Sequence, residues 1–189
     1  MGWLVLMGMM LQETPVEPVK KQILRNEKEQ AAAAPAHKIP PPSKAAVPVL
    51  SLYNAWTHEV LPVPADKPPP AQDVSHFLRC HFTNQFCAMD PRLIPIVQRA
   101  ATRFRVARVE VVSGFRSPKY NLFLRKKGHE VARDSEHPRG HAVDFRLPGT
   151  PTKKLLAVVR SLHLGGVGYY PESHFVHADV GRIRFWRGH

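Results

Sequence analysis

Leu93, Ile96, Val97, Ala100 and Ala101 recur at helical spacing behind Asp90-Pro91, which offers a capping carboxylate and a proline for the first turn. The same punctuation returns twice. Ser117-Pro118 precedes Tyr120, Leu122, Phe123 and Leu124, and Thr150-Pro151 precedes Leu155, Leu156, Val158, Val159 and Leu162, with Gly165-Gly166 closing that helix. A shorter helix is predicted from Asp73 to Arg79. Elsewhere the period drops to two. Val47–Tyr53, Val109–Ser113 and Ala142–Leu147 read as strands. In the last of these Val143, Phe145 and Leu147 face one way, and Ala142, Asp144 and Arg146 the other. Val167–Tyr170, Phe175–Val180 and Ile183–Trp186 predict a terminal antiparallel meander. Helices and strands do not alternate in a βαβ rhythm, so the fold class is α+β.

The beginning of the chain has neither period. Twelve of the 19 prolines precede residue 71. Residues 12–47 alternate charged blocks with Pro/Ala-rich ones, which bury little apolar surface and predict an extended linker. Ahead of them Trp3 to Leu11 is apolar, too short to span a bilayer and similar to the apolar part of a secretory signal. No Lys or Arg precedes it. A start assigned too late, a clipped signal, or a mere apolar tag or anchor each fits. The expected organisation is a signal-like start and disordered linker over 1–47 and one folded domain over 48–189.

A formal net charge of +12 adds attraction to anionic matter, with plain solubility as the alternative. The cations are dispersed, and no nucleic-acid motif or basic helix with interleaved aromatics occurs, so nucleic acid is not an expected partner. Oligomeric state is not legible. The two cysteines, Cys80 and Cys87, are not a CxxC pair; a short-loop disulfide and two free thiols both remain open.

The chemistry concentrates in Ser135-Glu136-His137-Pro138-Arg139-Gly140-His141-Ala142-Val143-Asp144 and in Phe175-Val176-His177-Ala178-Asp179. His137 falls in a turn ahead of the strand that carries Asp144, and His177 shares a strand face with Asp179. Two neighbouring strands would then present His137, Asp144 and His177 to a single ion. Two imidazoles and a carboxylate with one open position form a reasonable catalytic zinc (Zn2+) set. His141 is the likeliest false ligand. Ser135 lacks a nucleophile elbow and reads as a loop residue.

The first of these segments resembles the SxHxxGxAxD motif of the LAS superfamily, which comprises lysostaphin-type peptidases, D-Ala-D-Ala metallopeptidases and the hedgehog signalling domain. Within it the chain is most similar to MepK-type murein endopeptidases. The likeness runs on through Leu50-Ser51-Leu52-Tyr53-Asn54, His76-Phe77-Leu78-Arg79, Asp90-Pro91-Arg92-Leu93, Ser113-Gly114-Phe115-Arg116-Ser117-Pro118 and Phe175 to Arg182, over roughly residues 48 to 187. It implies a hedgehog/D-Ala-D-Ala-peptidase-like fold with a central antiparallel sheet flanked by helices. It also implies zinc on His137, Asp144 and His177, and hydrolysis of peptidoglycan stem peptides in cell-wall cross-links, including bonds between two diaminopimelate residues, in the periplasm or outside the cell.

Related enzymes place an arginine where Arg116 stands, and this residue is the expected clamp for a substrate carboxylate or a developing oxyanion. Many relatives carry an acidic residue three positions before the last ligand. His174 occupies that position here and is the candidate general base, with Glu172 and Glu136 as alternatives. Asp179 is expected to orient a ligand from behind. The alternative function is a non-catalytic zinc module that binds the wall or a protein.

Overall fold

The computed structural model describes residues 49–64, 67–127 and 134–189. The expectations for the apolar start and the linker lie outside them. Strands β1 (Val49–Asn54) and β2 (Val60–Pro64) come first, followed by helices α1 (Ala71–Phe77) and α2 (Leu93–Phe104). Then come β3 (Arg108–Ser113), α3 (Pro118–Lys126), a single 3-10 turn at His137–Arg139 and β4 (Ala142–Arg146). Helix α4 (Thr152–Ser161) precedes β5 (Gly166–Tyr170), β6 (Phe175–Asp179) and β7 (Arg184–Arg187). Among the described residues, four helices beside one seven-stranded sheet fit the α+β expectation.

The sheet order is β2-β1-β3-β4-β6-β5-β7. It is mixed: the central strands β3, β4, β6 and β5 pair antiparallel, while β1 pairs with β3, and β5 with β7, in parallel. Parallel neighbours need a crossover. The chain supplies one between β1 and β3 through β2, α1 and α2. The predicted meander is corrected. Strands β5 and β6 form an antiparallel hairpin, but β6 is already flanked by β4, so β7 takes the remaining edge of β5. Residues Gly165-Gly166, expected only to end a helix, sit where the chain crosses the start of β5. A Cβ on Gly166 would lie 2.5 Å from Asp179 Oδ2 and 2.6 Å from Arg184 Nη1, so a larger residue there would have to displace those two side chains.

The helix starts follow the expected chemistry with small shifts. Ser117 Oγ accepts the Tyr120 N–H at 3.2 Å, and Pro118 opens α3 as predicted. Asp90 Oδ1 instead accepts the Arg92 N–H at 2.9 Å, so its turn precedes α2, which begins at Leu93. Asp73 falls inside the first turn of α1 rather than at its cap. Strand β2 was not legible, because Pro62 and Pro64 argue against a strand. It is an edge strand, where a missing N–H breaks no inner ladder.

Phe145 and Val143 of β4, Leu52, Val109, Val111 and Val176 from neighbouring strands, and Leu93, Ile96, Val97 and Leu155 from α2 and α4 form the core. Burying each large side chain contributes about 1.5–3 kcal/mol. Strands β4 and β6 are therefore anchored on one face by packing, and their other face is fixed in register.

Candidate metal centre

Asp144 and His177 are direct cross-strand partners, and Ala142 lies opposite Asp179. The period-two argument placed these side chains on one face, and the register brings the two elements together. His137 arrives from the 3-10 turn, which closes on Gly140 in the left-handed region at φ 72°. Glycine is required there for its φ, and because a Cβ would strike the Ala88 carbonyl.

The three side chains meet. His137 Nε2 lies 3.1 Å from His177 Nδ1 and 3.2 Å from Asp144 Oδ2, while His177 Nδ1 lies 2.8 Å from Asp144 Oδ1. Their donor atoms form a cluster able to hold a metal ion. All are buried: relative exposure is 1% for His137, 3% for Asp144 and 5% for His177.

Their outer partners fix which ring nitrogen points inward. His137 Nδ1 donates to the Gly114 carbonyl oxygen at 2.6 Å, and a carbonyl can only accept. His177 Nε2 donates to Asp179 Oδ2 at 3.0 Å. In the neutral rings, then, Nε2 of His137 and Nδ1 of His177 are lone pairs aimed at each other and at a carboxylate. That arrangement is repulsive unless a proton or a cation sits among them, and outer-shell bonding of this kind is what oriented metal ligands use.

The electrostatics agree. Burial, with the Arg116 charge second, holds His137 down to about 4, so it is neutral near pH 7. Burial opposes a charge on His177, but the carboxylates of Asp144 and Asp179 outweigh it and hold its pKa above the ordinary value. Asp144 resists burial through His137, His177 and Arg116, and stays ionised well below the usual carboxylate range. Asp179 is likewise held low against burial, by His177 and by the N–H groups of Gly166 and Gly181.

Arg116 is at the centre, as its place after β3 suggested. Its Nη2 donates to Asp144 Oδ2 at 3.0 Å and its Nε to Ser113 Oγ at 3.2 Å. Asp179 stands behind His177, its Oδ2 3.0 Å from Nε2. His174 is not brought to the cluster: it is exposed, with φ 56°, in the turn between β5 and β6. His141 pairs with Glu136 at 3.2 Å and stays outside. Cys80 and Cys87 are free thiols.

Two participants were not foreseen. One is the Gly114 carbonyl, a backbone group that no side-chain motif announces. The other is Arg184, whose Nη2 donates to Asp179 Oδ2 at 2.8 Å. Arg184 enters through the β5–β7 pairing, and the expectation of a meander hid it.

Comparison with known proteins yields a consistent picture. A protein of Haemophilus influenzae named "Probable peptidoglycan L,D-endopeptidase MepK" is 39% identical over 123 residues, which is 64% of this chain and 66% of that one. The peptidoglycan L,D-endopeptidase MepK of Escherichia coli K12 is 36% identical over 114 residues, 60% of this chain and 63% of that one. The aligned part thus spans just under two thirds of the length of these relatives. No solved structure matches the chain significantly. Residues 48–186 match the family described as peptidoglycan L,D-endopeptidase MepK, and they take in the turn, the two strands and every side chain of the buried centre. The chain, by that match and by the architecture of its centre, belongs to the MepK family of peptidases.

Proposed function

We propose that this protein is a zinc-dependent peptidoglycan endopeptidase that hydrolyses L,D peptide bonds in cell-wall cross-links, with residues 48–189 as its catalytic domain. The observation that carries the reading is the convergence of His137 Nε2, His177 Nδ1 and the Asp144 carboxylate, with both tautomers fixed from behind. Two neutral imidazoles and one carboxylate suit zinc and leave a coordination position for substrate or solvent. Zinc bound there would supply Lewis-acid polarisation of the scissile carbonyl and a solvent nucleophile near neutral pH.

The chain's own residues supply the rest. Arg116 braces Asp144 and brings a permanent positive charge to the point where the carbonyl oxygen gains negative charge, or where a substrate carboxylate must be held. Asp179 keeps the His177 ring turned with Nδ1 inward, and Arg184 holds the Asp179 carboxylate in place from its other side. His174 is the proposed proton carrier for the leaving amine. Its turn lies directly before β6, the strand that carries His177, and its ring is exposed. The bond broken lies in the wall, so we place the protein in the periplasm or outside the cell. Among the described residues no helix is long and apolar enough to cross a membrane.

The test is chromatography of purified cross-linked wall fragments before and after digestion. Dimeric fragments should become monomers with zinc present, and a chelator should stop the conversion. Intact dimers after digestion with the zinc-loaded protein would refute the reading.

A further inference from the structure

The loop between α1 and α2 is pinned at both ends to the candidate centre. At one end the Phe115 N–H donates to the Leu78 carbonyl at 2.7 Å, and Cys80 Sγ lies 3.6 Å from Ser117 Oγ, which flanks Arg116. At the other end the Asp90 N–H donates to the Gly140 carbonyl at 2.9 Å, beside the turn that carries His137. In between, the Asn84 N–H donates to the Cys80 carbonyl and the Cys80 N–H to the Gln85 carbonyl. Arg79 Nε adds a bond to Asn84 Oδ1 at 2.6 Å. This is a braced wall, and it holds Phe82 half in solvent, at 51% exposure.

Phe82 ends a continuous run of rings. Trp56 stacks flat on His81, with centroids 4.3 Å apart and planes 6° from parallel. His81 meets Tyr120 edge-on at 5.0 Å. Phe82 stacks on Tyr120 at 4.9 Å and on Phe123 at 5.5 Å. One face of Phe82 therefore lies on aromatic neighbours, and its remaining surface is open. The run is tied to the strand that leads to the centre: Trp56 Nε1 donates to the Val112 carbonyl at 2.7 Å, one residue before the Ser113 that holds Arg116. Phe82 thus offers an open aromatic face backed by other rings, a surface that can receive an apolar partner.

The occupant follows from what a peptidoglycan hydrolase meets, and so rests on the function proposed above. Stem peptides offer carboxylates and short aliphatic groups, for which Arg116 is the complementary partner. The attached glycan offers pyranose rings whose C–H faces are apolar and slightly positive, the complement of an aromatic face. We infer that the Trp56–His81–Tyr120–Phe82–Phe123 ledge is a glycan subsite, on which an N-acetylated amino sugar of the wall strand stacks over Phe82 while its stem peptide enters at Arg116.

A tetramer of N-acetylglucosamine titrated into the full-length, chelator-treated protein tests this without any hydrolysis. The ring resonances of Phe82 and Tyr120 should shift on saturation. Phe82→Ala should weaken binding by about 3–10-fold, within the range of one lost aromatic contact, and Phe82→Trp should retain it. The ratio of turnover on intact wall to turnover on a glycan-free cross-linked peptide should fall in Phe82→Ala by a similar factor. No binding of the tetramer, equal affinity of the wild type and Phe82→Ala, or an unchanged ratio would overturn the subsite. If the wild type cuts neither substrate, the hydrolase reading fails, and the titration still decides the ledge.

Discussion

At the residue scale, two histidines near the centre are neutral for the same reason, burial reinforced by the Arg116 charge, and together they give a pH signature of folding. His81 is sandwiched between Trp56 and Tyr120, and burial, with the Arg116 charge second, depresses its pKa from 6.5 to about 4. The unfolded chain therefore takes up this proton first as pH falls. Stability is fully present above about pH 6.5 and declines as pH drops towards 4, by at most about 3 kcal/mol for this group. Denaturant titrations across that window should show the decline. His137 contributes in the same direction, so His81→Phe, which keeps the stacking, should flatten the slope without abolishing it. An unchanged slope would deny His81 its part. Arg184 makes a separate prediction. It acts on the metal only through Asp179 and His177, so Arg184→Gln should weaken zinc affinity by about 10–100-fold while the fold persists. Competition with a chromogenic chelator measures this directly. Asp144, His177, Asp179 and Arg116 were legible because strand period and motif spacing are local. Arg184 was not, because its role depends on which strand edge β7 occupies.

At the element scale, the ligand set depends on one turn meeting one strand pair. Strands β4 and β6 hold Asp144 and His177 in register through the ladder and the apolar face beneath. The turn at 137–139 has no such sheet, and relies on Gly140 to reverse direction while lying against Ala88. Gly140→Ala would place a Cβ at positive φ against a backbone carbonyl. The expected cost is about 1–3 kcal/mol, with displacement of His137. Thermal unfolding and zinc titration should both register it, whereas the same change at Gly149 meets no neighbouring atom and should spare zinc binding. Element types and helix faces were readable from periodicity. The β1–β3 and β5–β7 pairings were not, since parallel partners are chosen by crossovers whose ends lie far apart in sequence. Strand β2 was hidden for the opposite reason: its prolines forbid an inner strand, and only its edge position makes them harmless.

For the whole molecule, a buried cluster of like-oriented lone pairs has a thermodynamic consequence. Without a cation, His177 must keep a proton between itself and Asp144, and His137 has no donor to offer inward. The three side chains thus share a single proton in the middle of the sheet, across the β4–β6 pair that joins the two halves of the strand order, where one divalent cation would satisfy all of them at once. A ligand that binds only the folded state stabilises by mass action, by about 2.7 kcal/mol at a hundred times its Kd. Zinc should raise the thermal midpoint of the full chain by several degrees in a concentration-dependent way, and chelation should reverse the gain. His177→Ala should abolish the shift, because it removes both an inward donor and the link to Asp179 and Arg184. Arg116→Ala should separate the two roles of the centre. It leaves all three donors in place, so the zinc-dependent shift should survive, while hydrolysis of cross-linked fragments falls by about 100-fold or more. Loss of the thermal shift in Arg116→Ala would make this residue a support for Asp144 rather than a participant in the reaction. Unchanged hydrolysis would remove it from both roles.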